Sequence, residues 1–119
     1  MAAPNLKNPT AIIGRTARYA VTTTLAAALS NAAASGKALK INSIRATNVD
    51  GAVAADITVT IYDGTTDGHL AKTLAVPADA VQIISNKETY FYLEEGDSIR
   101  AQASAAGDLE LIIGYEEIS

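Results

Sequence analysis

The first candidate for acid–base or metal chemistry in this chain is its single histidine, His69. It follows Gly68 and precedes the apolar Leu70. A general base needs a neighbour that orients it, and a metal site needs further ligands of matching type. The sequence around His69 supplies neither, so we interpret it as a histidine beside a turn.

A second candidate is the segment DGTTDG, residues 63–68, which loosely resembles a calcium-binding loop. An EF-hand requires oxygen ligands at alternate positions and a glutamate at the twelfth position. Asp63 and Asp67 do not have that spacing, and strand-like segments flank them on both sides. A hairpin turn is the better interpretation, because aspartate and glycine favour tight turns.

The densest acidic cluster is formed by Glu94, Glu95 and Asp97. Paired carboxylates do acid–base work when burial moves their pKa values apart. This cluster surrounds Gly96, which permits the backbone geometry of a tight turn, so we expect solvated carboxylates. A weak surface cation site is the alternative. The sequence has no glycine-rich phosphate loop, nucleophile elbow or Ser–His–Asp set, so we expect neither an enzyme nor a cofactor.

Length and composition predict one domain of modest stability. The chain has 119 residues, of which 49% are hydrophobic and only 5% aromatic. At roughly 25 cal/mol per Å² of buried apolar surface, a core with few large side chains stabilises an isolated monomer only modestly. We therefore expect contacts with neighbouring subunits to bury further apolar surface.

Charge and hydropathy argue against several classes of partner. The formal net charge is −4 and basic residues do not cluster, so we expect no nucleic-acid partner. The longest weakly apolar run, Leu25–Ala34, is interrupted by polar residues and is too short to cross a bilayer, so we expect no membrane partner. The segment MAAPNLKNPT lacks the features of a secretory signal. There is no cysteine, which excludes disulfides and thiolate metal sites.

The overall pattern is that of short strands separated by turns. Apolar and polar residues alternate most clearly in 54–62 and 99–103, and turn residues recur roughly every 8–12 positions. We predict an all-β fold, an antiparallel β-sandwich of about eight short strands spanning residues 11–119 as a single domain. Residues 1–10 are predicted to form an extended N-terminal arm, because Pro4 and Pro9 favour extended backbone. Sheet order, including a jelly-roll arrangement, stays open.

Three local features of the strands are also predicted. In Ala38–Asn48 the apolar alternation slips, which indicates a bulge near Asn42-Ser43. In Ala54–Tyr62 the alternation places Thr60 on the outward face. Leu25–Gly36 combines helix-favouring alanines with a preceding threonine run, and we interpret it as a strand end followed by a loop, leaving a helical turn inside it open.

A set of segments in a fixed order resembles a known family. They are LKINSIRATNVDG (Leu39–Gly51), DITVTIYDG (Asp56–Gly64), HLAKTLAVPADA (His69–Ala80), YLEEGDSIRAQASAAGDLEL (Tyr92–Leu111) and GYEEIS (Gly114–Ser119). Over about Asn5 to the end, the chain resembles the small all-β virion structural proteins of tailed bacteriophages, particularly those of marine and cyanobacterial phages. The most specific parts are AKTLAVPADA and LEEGDSIRAQASA.

This resemblance implies a virion component without catalysis, made in the bacterial cytoplasm. We expect a capsid decoration (cement) protein that binds the major capsid protein, or another virion protein, as a homotrimer or other homo-oligomer. The expected contacts are strand edges and the arm, with Leu6, Pro9, Ile12 and Ile13 as candidate interface residues. The alternative is that the arm is simply the lead-in to the first edge strand.

Two further functions stay open. A tail, neck or fibre-base component would show the same strand pattern and differ in copy number. A carbohydrate-binding module for host adhesion would stack sugars on aromatic faces, for which Tyr62, Tyr90 and Tyr92 are candidates. Against it, the chain has no tryptophan, and tyrosines at alternate strand positions commonly pair across a sheet.

Overall fold

The structure, a computed structural model, describes residues 4–119, so the first three residues of the predicted arm lie outside it. The described residues form nine strands and one 3-10 turn, Lys87–Thr89. The strands are β1 (Ile12–Ala20), β2 (Ala26–Ser30), β3 (Ala38–Asn48), β4 (Ala55–Tyr62), β5 (Asp67–Val76), β6 (Val81–Ser85), β7 (Phe91–Leu93), β8 (Ser98–Ala103) and β9 (Leu109–Ile118). Their pairings are antiparallel, which confirms the predicted all-β antiparallel class.

The strands pair as one long hairpin that has been rolled up. Its tip is the turn between β4 and β5, which pair with each other. Successively farther from the tip, β3 pairs with β6, then β2 with β8, then β1 with β9. Two further pairings, β3 with β9 and β4 with β8, fold this hairpin into two sheets. The sheet orders are β1-β9-β3-β6, with the short β7 also on β3, and β2-β8-β4-β5. The sandwich is therefore a jelly roll.

The core between the sheets is almost entirely aliphatic. Its fully buried large apolar side chains come from both sheets: Ile41, Ile44, Ile57, Val59, Val76, Leu93, Ile99, Leu109, Leu111 and Ile113. The bulge predicted in β3 is confirmed, since the register against β9 shifts between Ile41 and Ser43. One extra residue there lets both Ile41 and Ile44 face the core.

Three features differ from the sequence prediction or sharpen it. Thr60 is fully buried, although it lies on the outer face of its sheet, because its hydroxyl donates to Asp67 Oδ1 (2.7 Å) and that carboxylate also pairs with Arg100. The segment Leu25–Gly36 contains the separate strand β2 followed by a turn, without a helical turn, because β2 pairs with β8. Strands β8 and β9, although adjacent in sequence, belong to different sheets.

A buried asparagine, Asn31, joins the loops at one end of the sandwich. Its amide nitrogen donates to the carbonyl oxygens of Lys37 (2.9 Å) and Leu93 (3.0 Å), and Ser35 donates to its Oδ1 (2.6 Å). Its own N–H and C=O bond to the turn at Gly96–Asp97. The side chain is only 4% exposed, so all of these polar groups are satisfied within the protein.

A second buried asparagine, Asn48, does the same at the opposite end of β3. Its amide donates to the carbonyl oxygens of Val53 (2.9 Å) and Val76 (3.0 Å), and its Oδ1 accepts from the Asp50 N–H (2.9 Å). Its backbone N–H donates to the Ala80 carbonyl (2.9 Å). Asn48 thus connects the end of β3 to the loop before β4, the end of β5 and the start of β6.

We predict that Asn48→Ala lowers the free energy of unfolding by about 2 to 3 kcal/mol, because it leaves buried carbonyl groups without a donor. The measurement is urea denaturation followed by circular dichroism. Asn42→Ala is the control, since the half-buried Asn42 amide bonds only to the Glu116 carboxylate (3.0 Å), and we expect it to cost below about 1 kcal/mol. Equal losses in the two variants would contradict the role assigned to Asn48.

Candidate assembly interface

The candidate interface residues of the arm and first strand lie together at one end of the sandwich. Leu6, Ile12 and Ile13 are 49%, 56% and 44% exposed, while Pro9 is half-buried. Ile12 and Ile13 are neighbours on β1, so they point to opposite faces of the first sheet. The structure therefore presents apolar side chains on both faces of β1 near its start.

The described part of the arm folds back over the first sheet and is not extended throughout. Asn5 forms a turn, in which its side chain accepts from the Lys7 N–H (3.0 Å) and its carbonyl accepts from the Asn8 N–H (3.1 Å). The N–H groups of Thr10 and Ala11 both donate to the Ser119 carbonyl (2.6 and 3.1 Å). The arm is thereby fixed to the end of β9.

A shallow apolar groove of about 440 Å³ lies between the arm and the adjoining strands. It is lined by Pro4, Leu6, Ala38, Phe91, Tyr92 and Glu94. Its lining is mainly apolar, with Glu94 at one side as the charged member. Together with Ile12, this groove makes the arm end of the first sheet an apolar surface, which we call the arm patch: Leu6, Ile12 and the groove lining. Ile13 lies on the opposite face of the sheet and is outside this patch.

Of the three candidate sugar-binding tyrosines, Tyr92 lines the groove of the arm patch and Tyr90 lies beside Tyr92. The rings of Tyr90 and Tyr92 meet edge to face, with centroids 6.0 Å apart and an interplanar angle of 88°. The Lys40 ammonium lies 4.5 Å from the centre of the Tyr90 ring. Tyr62 is on the other sheet, and the Arg100 guanidinium covers its ring at 4.3 Å. The three tyrosines are thus not one site.

A carboxylate of β9, Glu117, joins three segments of the first sheet at the arm end. Its Oε2 accepts from Arg15 Nε (3.0 Å) on β1, and its Oε1 accepts from Lys37 Nζ (2.7 Å) just before β3. The hydrogen bond from Lys37, with the charges of Lys37 and Arg15, lowers the pKa of Glu117 from its ordinary value, against a smaller opposing effect of desolvation. Glu117 therefore stays ionised and holds β1 on β9.

The acidic turns predicted from sequence are held by their own carboxylates. Asp63 Oδ1 accepts from the N–H groups of Thr66 (2.7 Å) and Thr65 (2.9 Å). Both bonds lower the pKa of Asp63, and the bond from Thr66 has the larger effect. Asp97 Oδ2 accepts from the Glu94 N–H (3.1 Å). Both segments therefore have the geometry of turns, as the sequence indicated.

The remaining residues considered for chemistry are dispersed. Glu95 accepts from the Gly36 N–H (3.3 Å), and the exposed His69 lies opposite Thr60 in the pairing of β4 with β5. Within residues 4–119 no three His, Cys, Asp or Glu side chains are grouped so that they could hold a metal ion. In the same range no helix is long and apolar enough to cross a membrane.

Sequence reasoning did not single out a second group of exposed apolar residues. Val49, Val53, Val81 and Ile83 are each more than half exposed, and they lie towards the Asn48 end, away from the arm. The alternation of Val81 and Ile83 with Gln82 was a usable signal for a strand with an apolar outer face. The exposure of Val81 and Ile83 depends on β6 being a sheet edge, which the local sequence pattern does not encode.

Comparison with known proteins adds no family assignment, because neither a protein-family model nor a curated protein matches this chain.

We predict that Glu117→Gln destabilises the protein most at neutral pH, by about 0.5 to 1 kcal/mol, because the two cations it pairs with are half-exposed. The folded-state pKa of Glu117 lies below 4.5, so its contribution is complete above pH 4.5 and is lost as pH falls through the folded-state pKa. Denaturation curves of the wild type and the variant should therefore converge in acid. Glu110→Gln, at an exposed carboxylate of the same strand, is the control, and a pH-independent loss in Glu117→Gln would contradict the ion-pair account.

Proposed function

We propose that this protein is a non-enzymatic structural subunit of a bacteriophage virion that decorates the outer surface of the head. In this role it binds the assembled major capsid protein and stabilises contacts between capsomers. The proposal rests on the ordered sequence segments described above and on one structural observation, the arm patch.

The arm patch is the observation that carries the proposal. Large apolar patches are uncommon on a monomeric soluble protein and mark contact surfaces when they are contiguous. Here Leu6 and Ile12 are about half exposed, and the groove beside them is lined by Phe91 and Ala38. Because the arm is hydrogen-bonded to Ser119, this surface is preformed and needs little ordering when it binds.

The rest of the sandwich fits a subunit that acts by binding. The carboxylates of Asp63, Asp97 and Glu117 are each engaged in a turn or an ion pair. The jelly roll is an architecture used by virus coat proteins and by lectins alike, so the fold supports a binding role without choosing the ligand.

Decoration stabilises a particle by mass action. A subunit that binds the mature shell but not its dissociated capsomers adds a free energy of RT ln(1 + [L]/Kd) for every occupied site. Even weak individual contacts then protect a particle that carries many of them. This suits a small chain with a modest contact patch.

We predict that the purified protein co-sediments with undecorated mature heads of its phage, and that Leu6→Asp weakens this binding at least about tenfold. The substitution removes an apolar contact of about 1.5 kcal/mol or more and places a charge in the patch. Val53→Asp is the matched control, because Val53 is 58% exposed at the opposite end of the sandwich. Both variants should fold normally.

The number of bound copies separates the decoration proposal from its nearest alternative. Saturation at hundreds of copies per head, with heads that better resist heat, supports decoration. Binding of about six to a dozen copies, or binding to tails alone, identifies a tail, neck or fibre-base component instead. Equal loss of binding in Leu6→Asp and Val53→Asp would overturn the assignment of the arm patch.

The exposed pair Tyr90 and Tyr92 favours a second candidate function, carbohydrate binding during host adhesion. In this role a sugar would stack on the Tyr92 ring or on the face of the Tyr90 ring opposite Lys40, and the Lys40 ammonium would donate to the sugar hydroxyls. If this is the function, Tyr90→Ala should abolish a signal on a glycan array. Tyr62→Ala is the control, since Tyr62 lies on the other sheet, away from this pair, and the absence of any glycan signal for the wild type would reject this candidate.

A further inference from the structure

The jelly roll leaves one long and regular strand edge without a partner, that of β1. In the described residues β1 ends one side of the first sheet, and the other side ends at β6 and β7. Strand β1 has nine residues, and its register against β9 is unbroken over its whole length. It contains no proline and no lysine; its charged residues are Arg15, which pairs with Glu117, and Arg18.

The other edges of the two sheets are short or irregular. Strands β2 and β6 have five residues each and carry a register shift, and β7 has three residues. Strand β5 is long, but its register shifts twice and Thr73 within it has a φ of 47°, in the left-handed region that β-branched residues avoid. Bulges and short lengths are among the usual protections against edge pairing, so β1 stands out among the described strands as the long edge of regular register.

The backbone groups that β1 presents at this edge follow from its pairing with β9. Ala11 and Ser119 exchange two hydrogen bonds, and the Val21 N–H donates to the Leu109 carbonyl. In an antiparallel ladder, hydrogen-bonded positions alternate, so the odd-numbered residues of β1 bond to β9. The N–H and C=O groups that point away from the sheet therefore belong to Ile12, Gly14, Thr16, Arg18 and Ala20.

We propose that β1 pairs antiparallel with β1 of a second copy of this chain, with Thr16 on the twofold axis. Thr16 then lies opposite Thr16 of the partner, Gly14 opposite Arg18, and Ile12 opposite Ala20. All of these residues carry outward-pointing backbone groups, so each pair exchanges two N–H···O=C bonds. The first sheets of the two copies become one continuous sheet.

The side chains are complementary in this register. The half-exposed Ile13 meets the ring of Tyr19, and Arg15 meets Ala17, so no two like charges face each other. Gly14 leaves open space for Arg18, since a side chain at Gly14 would meet nothing within 4 Å. Ile12 at the end of the pairing gains cover from Ala20.

The neighbouring registers are less favourable. A shift by two residues in one direction places Arg15 directly opposite Arg15 of the partner, which is destabilising. A shift in the other direction removes Ile12 and Ile13 from the pairing. A shift by one residue places the outward-pointing N–H and C=O groups of one strand opposite residues of the partner whose own groups point towards β9, so the ladder cannot form.

The arm does not block the edge. Pro4 and Leu6 lie by Ala38 and Phe91, on the far side of β9 from the β1 edge. The arm patch and the edge therefore share Ile12 and are otherwise separate surfaces. The dimer does not depend on the proposed decoration function, and within the expected homotrimer or other homo-oligomer it selects a twofold unit.

The first test uses backbone chemistry at the centre of the proposed ladder. Thr16→Pro removes the outward N–H without removing a hydrogen bond to β9, so the chain should fold and be monomeric. Thr16→Val keeps the N–H and should remain a dimer. Sedimentation equilibrium should give twice the 12.3 kDa chain mass for the wild type and Thr16→Val, and a single mass for Thr16→Pro. Circular dichroism checks that all three are folded.

The second test reads the register through disulfides, since the chain has no cysteine of its own. Thr16→Cys lies on the axis, at a Cα separation of about 5.5 Å expected for a hydrogen-bonded pair, and should cross-link to itself under mild oxidation. Gly14→Cys and Arg18→Cys should cross-link only when mixed. A wild type that is monomeric or trimeric, a dimeric Thr16→Pro, or self-linking at position 14 would each overturn the proposal. None of these results bears on whether the protein binds phage heads.

Discussion

The fold depends on the satisfaction of backbone polar groups where the chain crosses from one sheet to the other. In a jelly roll many connections cross between the two sheets, so their carbonyl and N–H groups have no strand partner at the ends of the sandwich. Asn31 and Asn48 supply those partners, each from a buried side chain that bonds to two carbonyl oxygens. Because Asn48 ends β3 and Asn31 bonds to Lys37 just before it, both ends of this central strand are fixed.

That constraint explains how a core with so few aromatic residues can specify one topology. Aliphatic side chains such as Ile57 and Ile113 fill the space between the sheets but do not by themselves fix which strands pair. The asparagines, the β3 bulge and the Glu117 ion pairs are directional, and they set the register of β3 and β9. The same arrangement leaves β1 attached on one side only, by β9. The edge where association is proposed is thus a consequence of how the sandwich closes.

Much of the fold could be predicted from the sequence because strand alternation is local. The pattern in Ile99–Ala103, the slip at Asn42-Ser43 and the turn predicted at Asp63–Gly68 all depend on neighbouring residues. All three are present, although the turn covers only residues 63–66 because Asp67 and Gly68 belong to β5. The sheet order could not be predicted, because it depends on contacts between β1 and β9, at opposite ends of the chain. Thr60 was assigned correctly to the outer face but not to the buried class, since its burial depends on distant Asp67 and Arg100.

The candidate surface was only partly predictable for the same reason. Leu6 and Ile12 are apolar residues near a terminus, which is visible in the sequence, but the groove beside them requires Phe91 and Ala38 to be brought to the arm. The roles of Asn31 and Asn48 were hidden, because an asparagine in a turn-rich segment ordinarily indicates a solvated loop. Burial of such residues becomes apparent only once the loops are placed.

The most direct test of the account is amide hydrogen exchange in β1, measured by NMR at high protein concentration and after dilution. The amides of Ile13, Arg15, Ala17 and Tyr19 bond to β9, so they should stay protected at both concentrations. The amides of Gly14, Thr16 and Arg18 point away from the sheet, and their protection should appear only at high concentration, as the strand pairs with its copy. Rapid exchange of these three amides at every concentration, or protection without the odd–even alternation, would contradict the account.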